Sequence, residues 1–273
     1  MGDTVLGAFL RTRRARLTPA DVGLAAGGRR RTPGLRREEV AARAGISPDY
    51  YTRLEQGRPR VPTPAVLDAL AHALLLGDAE RAYLHTIAVP RRPRQAGAPA
   101  PVTPAARAML DALTATPAFV LGPRFDLLAW NRLGSALMAG LAERPPHQRN
   151  LLWQVFCCPH GAATPANREP DDSIGAQLVA ALRAEHAGRP TDLGLGRLVA
   201  RLSAASEDFA ALWDMHRAGG PGEGELRVAH ALLATDTLPF TLLTLPTPGH
   251  RLFVCLPPPG TRAPFDALAA SAT

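Results

Sequence analysis

The chain has 273 residues, of which 46% are hydrophobic and 20% are charged, so it can form one large domain or two smaller ones. Its apolar runs fall far short of the roughly 20 residues that cross a bilayer, and its N-terminus lacks the basic start and apolar stretch of a secretory signal. Three cysteines are too few for a disulfide framework, so we expect a folded protein of the reducing cytoplasm.

Positive charge is concentrated ahead of residue 96. All 31 basic residues are arginines, and residues 1–95 hold 17 of them against 9 acidic residues, whereas residues 96–273 hold 14 against 15. A one-sided basic surface is typical of a protein that binds a polyanion, most often nucleic acid. A genome-wide preference for arginine over lysine would explain the residue type but not this uneven distribution.

The first 88 residues show helical periodicity throughout. Apolar residues recur at helical spacing in Val5–Leu10, in Leu67–Leu74 and in Leu84–Ala88, the last behind a predicted cap at Asp78. No run in this segment alternates with period two. We therefore predict an all-α domain over residues 1–88.

A proline-rich linker is predicted at residues 89–104, which carry five prolines. Residues 105–273 then show a mixed pattern, which favours an α+β domain with one small antiparallel sheet. Its helices are predicted at 104–115, 131–142, 147–156, 172–187, 193–203 and 206–217, and its strands at 118–121, 126–130, 225–233, 238–245 and 251–256.

The segment Arg36–Gly57 has the chemistry of a helix-turn-helix. Gly45 suits the left-handed position that ends a first helix, and Ser47 can cap a second helix by accepting from the amide of Tyr50. Ile46 and Tyr51 occupy the positions of a hydrophobic staple. The spacing, the cap and the staple agree on two helices that cross at a tight turn.

The second of these helices has the dimensions and the outer face of a DNA-recognition helix. With Tyr51 and Leu54 directed inward, Arg53 can donate to guanine and Gln56 to a phosphate or an adenine edge. Arg37 can clamp a phosphate, and the arginines on both flanks add neutralising charge. The predicted DNA-binding residues are Arg29, Arg30, Arg31, Arg37, Ser47, Pro48, Asp49, Tyr50, Thr52, Arg53, Gln56, Arg58 and Arg60.

Two of these assignments have structural alternatives. Asp49 either complements the dipole in the first turn of its helix, which we favour, or accepts from a cytosine amino group. Arg29–Arg31 either contact phosphates or form a solvated loop.

The sequence resembles the MmyB-like bacterial transcription regulators, which carry an XRE-type helix-turn-helix. The resemblance lies in GLRREEVAARAGISPDYYTRLEQGR and in the preceding LGAFLRTRRARLTPADVG and GGRRRTPG. It continues in Thr116–Met138, in Arg149-Asn150-Leu151 and in Ser206–His216. The resemblance implies a C-terminal ligand-binding domain of PAS-like fold and a sensor of fatty-acid-like or other apolar molecules.

One stretch near the end departs from the pattern of these regulators. Leu226, Ala231 and Ala234 stand where relatives usually carry lysine, proline and glycine, and only His230 keeps the usual residue.

A ligand site is predicted in the second domain, with apolar walls and a few polar groups. Arg124, Asn131 and Arg149 could orient a carboxylate at its mouth. The alternative is an ordinary packed core, with Asn131 capping the helix that follows Trp130. The predicted ligand-binding residues are Phe119, Arg124, Trp130, Asn131, Met138 and Arg149.

Catalysis and metal binding are not expected. Cys157, Cys158 and His160 lack a second pair at ligand spacing, so inert thiols are favoured over a metal site or a redox switch. No nucleophile, phosphate-loop or zinc-protease motif is present in the sequence. We expect no cofactor apart from a bound fatty acid or similar ligand.

These observations predict a homodimeric, sequence-specific transcription regulator that binds double-stranded DNA and a small apolar ligand. A dimer is expected because helix-turn-helix modules gain affinity from two half-sites. The alternative is a C-terminal domain that only dimerises or recruits a protein, with no small-molecule ligand.

Overall fold

A computed structural model describes residues 5–24, 34–57, 61–89, 100–138, 140–158, 164–171, 173–189, 192–220, 222–228, 233 and 236–256. None of the helices in these ranges combines the length and apolarity needed to cross a bilayer.

The described part of the first domain is entirely helical, as predicted. Its core is built from inward residues that include Phe9, Leu10, Val40, Tyr51 and Leu70. The helices are α1 Val5–Arg16, α2 Arg37–Arg43, α3 Pro48–Glu55, α4 Pro64–Ala73 and α5 Asp78–Ala88, with a short 3₁₀ turn at Ala20–Val22.

The predicted cap of α5 lies one residue too late. Gly77, not Asp78, occupies the N-cap position, and no side chain bonds to the cap. Asp78 is the first helical residue, where its charge still complements the helix dipole.

The second domain is an α+β fold with a five-stranded sheet in the order β2-β1-β5-β4-β3, in which every neighbouring pair is antiparallel. This is the fold class predicted from the sequence. The strands are β1 Ala118–Leu121, β2 Leu127–Trp130, β3 Glu223–Arg227, β4 Thr237–Thr244 and β5 Arg251–Cys255.

Helices cover both faces of this sheet. Helix α6, which Thr103 caps, packs with Leu110 against Val120 and Val254 on one face. Phe119 and Phe253 point to the opposite face, where the larger core lies. The helices are α6 Pro104–Ala112, α7 Arg132–Leu137, α8 Leu151–Phe156, α9 Ile174–Gly188, α10 Leu193–Ala205 and α11 Glu207–Asp214, with 3₁₀ turns at Pro146–Gln148 and Pro165–Arg168.

Several predicted bounds differ from the observed ones by one to several residues. Strand β2 starts one residue late, since Asp126 forms an isolated bridge with Asn150. Helix α8 begins at Leu151 because the Asn150 side chain accepts from the amides of Leu152 and Trp153. The strand predicted at 225–233 ends at Arg227 and begins two residues earlier.

The two domains pack against each other through α5 and α9. Ala184 and Ala187 of α9, together with Ala218, join the core of the first domain. Burial raises the pKa of Tyr83 on α5, and the neighbouring Arg183 guanidinium of α9 only partly offsets that rise. Helix α9 and the segment around Ala218 therefore both contact the first domain.

Candidate functional site

The turn between α2 and α3 has the predicted backbone chemistry. Gly45 adopts a φ of +64°, where a side chain would be strained, and the amide of Ile46 donates back to the carbonyl of Ala41 at 3.0 Å. Ser47 then caps α3 by accepting from the amide of Tyr50 at 3.1 Å. Ile46 and Tyr51 lie in the same core cluster, where a staple would place them. The two helices are thus joined at a fixed angle.

Most of the predicted reading face of α3 is open to solvent. Ser47, Pro48, Asp49, Arg53 and Gln56 are exposed, and Tyr51 and Leu54 are buried on the opposite side. A helix with one buried and one open side can enter a groove without losing its own packing.

Two of the predicted DNA-contact residues are less exposed than the rest of this face. Thr52 is half-buried, and its hydroxyl donates to the carbonyl of Pro48 at 2.8 Å. Tyr50 is also half-buried and packs against the core of the first domain.

Arg53 and Asp49 form an ion pair one helical turn apart on the open face of α3. Both side chains are more than half exposed, so the pair contributes little to stability. The Arg53 guanidinium can therefore leave Asp49 and bind a base or a phosphate instead.

A buried carboxylate that the sequence analysis did not single out holds Arg37 in place. Glu55, only 2% exposed, accepts from Arg14 at 2.7 Å and from Arg37 at 2.8 Å. Burial alone would raise the pKa of the Glu55 carboxyl, but the two guanidinium groups outweigh it and hold the pKa below its usual value. Arg37 is thus fixed through its Nε atom while nearly half of its side chain stays exposed.

Arg29, Arg30, Arg31, Arg58 and Arg60 lie outside the described residues.

The second domain holds a cleft of about 490 Å³ that brings together two of the six predicted ligand-binding residues. Arg124 and Arg149 line it, together with Arg197 and Arg201 of α10. Its apolar lining comes from Leu127, Leu128, Pro146 and Leu198, and its further lining residues are Asp126, His147 and Gly194. The cleft therefore has a mixed lining of basic and apolar side chains.

The turn between β1 and β2 places Arg124 in this cleft. Phe125 is fully buried at a φ of +62°, a strained backbone that the surrounding core maintains. The Nε atom of Arg124 donates to Asp126 at 3.3 Å, and its Nη1 atom lies 3.7 Å from Asp192. Gly194 packs against the same guanidinium so closely that a Cβ atom would collide with it.

Arg149 is held by backbone carbonyls. Its Nε and Nη2 atoms donate to Arg144 and Ala142, each at 2.8 Å. Arg197 and Arg201, which the sequence analysis did not identify, are exposed and have no bonded partner among the described residues. The signal available in the sequence was their spacing of four residues, which puts them on one side of α10 with Leu198 nearby.

The other predicted ligand residues lie in the packed interior. Phe119 is fully buried, Met138 is 7% exposed, and Trp130 packs against the same core. None of the three lines the cleft.

Asn131 has a structural role in place of the predicted ligand contact. Its side-chain oxygen accepts from the amides of Ala118 and Gly134, and its nitrogen donates to the carbonyls of Leu113 and Thr116. All four hydrogen-bonding positions of the side-chain amide are used. Asn131 therefore caps α7, the alternative role considered for it in the sequence.

The cysteines show no sign of activation. Burial raises the pKa of the Cys157 thiol to about 11, and Cys158 is buried. His160 lies outside the described residues, and within the described ranges no three His, Cys, Asp or Glu side chains are placed to hold a metal ion. Of the departures from the relatives' pattern, Leu226 is fully buried in β3, whereas His230, Ala231 and Ala234 lie outside the described residues.

Two protein-family models match the chain, one in its N-terminal part and one in its C-terminal part. The model of the MmyB-like transcription regulator ligand binding domain matches residues 102–270, more than half of the chain. The model of a helix-turn-helix domain matches residues 5–84. No protein with a curated description matches the chain.

Proposed function

This chain belongs to the family with the MmyB-like transcription regulator ligand binding domain, and we propose that it reads a specific DNA sequence through α3. The observation that supports this most strongly is that α3 exposes the side that carries Arg53 to solvent, while its opposite side, which includes Glu55, is buried in the domain. Eight residues make α3 about 12 Å long, a length that fits a major groove about 12 Å wide.

Arg37 supports the same docking from the start of α2. A guanidinium held by Glu55 loses little conformational freedom when it meets a phosphate, and it carries no sequence information itself. We assign base readout to Arg53 and Gln56, and phosphate contacts to Arg37 and to the flanking arginines. We also infer a cytoplasmic homodimer, since a second copy would supply the second half-site.

Binding-site selection from a random duplex library tests this proposal on the full chain. We expect one recurring motif, with two half-sites about 10 base pairs apart if the protein binds as a dimer. A single half-site would contradict the dimer, and a pool without any motif would contradict sequence-specific binding.

The second domain, we propose, senses a fatty-acid-like amphiphile in the arginine-lined cleft. An acidic head group would meet Arg124 and Arg149, and the chain would lie along Leu127 and Leu198. Part of the cleft lies on α10. Helix α10 packs against α11, and α11 packs against α9, which contacts α5 of the first domain. A ligand changes DNA affinity only if it binds two arrangements of these helices unequally.

Solvent extraction of the purified full chain, followed by mass spectrometry, tests the ligand. A stoichiometric acyl compound supports the sensor. Protein that carries no such compound but retains a co-purifying protein supports a recruitment module instead.

A further inference from the structure

The cleft of the second domain carries more positive charge than a single carboxylate can balance. Four arginines line it against one acidic residue, Asp126, and Asp192 stands behind Arg124. The excess is therefore two positive charges, with His147 at the rim. A fatty acid would leave one of them uncompensated.

Two of these arginines keep all of their side-chain N–H donors unused within the described residues. Arg124 already shares its guanidinium with two aspartates, and Arg149 donates to two carbonyls. Arg197 and Arg201 are exposed and, within the described residues, have no bonded partner. They lie one turn apart on α10, so both forks can reach one ligand group.

The end of helix α10 does not itself offer an anion site. The Asp192 side chain accepts from the amides of Gly194 at 2.8 Å and Leu195 at 3.2 Å, so these amide donors are already taken. An anion in the cleft therefore has to use the arginine side chains in place of these two amides. This requirement favours a group with several oxygens and more than one charge.

We propose that the cleft binds an amphiphile with a phosphate head group, held by Arg197 and Arg201 and neutralised further by Arg124 and Arg149. A phosphate monoester carries about −1.5 to −2 near pH 7 and three acceptor oxygens, which matches the charge excess and the free guanidinium donors. The alkyl chain lies along Leu127 and Leu198, as in the proposed sensing function. This inference rests on the proposed ligand-sensing function and names its ligand class.

Calorimetric titration of the full chain with decyl phosphate, decanoate and inorganic phosphate tests the assignment. We expect decyl phosphate to bind about tenfold or more tightly than decanoate, because a charge-assisted hydrogen bond is gained. Replacing both arginines, as Arg197→Gln with Arg201→Gln, should remove that difference. The control pair Arg107→Gln with Arg227→Gln, two exposed arginines outside the cleft, should keep it.

The outcomes separate the head group from the sensor itself. Equal affinity for decyl phosphate and decanoate would overturn the phosphate assignment and leave the sensor intact. If inorganic phosphate binds as tightly as decyl phosphate, the alkyl chain contributes nothing to binding, and the proposed apolar part of the site is overturned. If neither amphiphile binds, both the head group and the proposed ligand cleft fail. A loss of DNA affinity by the cleft variant without any ligand would make this surface a second DNA contact and would also overturn the proposal.

Discussion

The Nε atom of Arg37 donates to the buried carboxylate of Glu55 at 2.8 Å, linking the first residue of α2 to the last residue of α3. Glu55 also accepts from Arg14 of α1. One carboxylate therefore ties together three helices and fixes a cation at the edge of the exposed reading face. Stability and DNA binding of the first domain are coupled at this residue.

Glu55→Gln should destabilise the protein by about 3 kcal/mol, because it leaves the Arg14 and Arg37 charges without their buried partner. DNA affinity should fall for all sequences alike, since Arg37 is no longer held. Chemical unfolding and fluorescence anisotropy measure the two effects. Glu38→Gln, which removes the same charge from the exposed first turn of α2, is the control and should cost no more than about 1 kcal/mol, the usual contribution of an acid at a helix N-terminus. Equal stability of the two variants would contradict the role of Glu55.

Arg37→Ala should weaken binding to every duplex and lower the slope of log affinity against log salt by about one unit, because one phosphate contact is lost. Glu55 keeps Arg14 as a partner, so the fold should persist. Titration of one duplex at several salt concentrations gives the slope. Arg227→Ala, which removes an exposed arginine from β3, should leave it unchanged. A wild-type slope in Arg37→Ala would remove this residue from the phosphate contacts.

Asp49→Asn should strengthen binding to nonspecific duplexes, because Arg53 is released from its ion pair and a carboxylate no longer faces the phosphates. The same change should reduce stability by about 0.3–1 kcal/mol, since an acid in the first turn complements the helix dipole. Affinity for unrelated duplexes and thermal unfolding measure the two effects. If the variant instead loses preference for a cytosine in the selected motif, Asp49 reads a base.

The parts of the fold that could be predicted depend on neighbours in the sequence. The turn at Gly45 and Ser47 was predictable because its hydrogen bonds span five residues or fewer. The short apolar run Ala118–Leu121 in the second domain similarly located β1 at its observed bounds. Local chemistry was sufficient for these elements.

The Glu55 ion-pair cluster and the cleft could not be predicted, because each is formed by residues that are far apart in the sequence. Glu55 pairs with Arg14 across 41 residues, and the cleft joins Arg124 to α10 some 70 positions later. Asn131 was placed among ligand contacts because its amide could serve either role, and only its four bonded partners decide between them. The assignments of individual DNA-binding residues stay predictions.

His216 should make stability fall in acid. Burial and the Arg183 guanidinium lower its pKa from 6.5 to about 4. Since arginine can only donate, the Nδ1 atom of His216, 3.1 Å from Arg183, must accept and the ring must be neutral. The unfolded chain takes up this proton near pH 6.5, so the stabilisation is complete above that pH and is lost as pH falls toward 4.

His216→Asn tests this directly, because asparagine can accept the same bond and tolerates the residue's φ of +51°. Unfolding free energies between pH 7 and pH 4.5 should fall less steeply in this variant than in the wild type. His72→Asn, on the exposed side of α4, is the control and should follow the wild type. Parallel pH profiles for all three proteins would refute the role of His216.

Binding-site selection on the wild-type chain and on Arg53→Ala, from one library, tests the reading face of α3 most directly. We predict that the variant binds about 1–3 kcal/mol more weakly and loses base preference at one position of each half-site. Arg81→Ala removes another exposed, ion-paired arginine of the same domain and should return the wild-type motif. Recovery of the full wild-type motif and affinity by Arg53→Ala would contradict readout through α3.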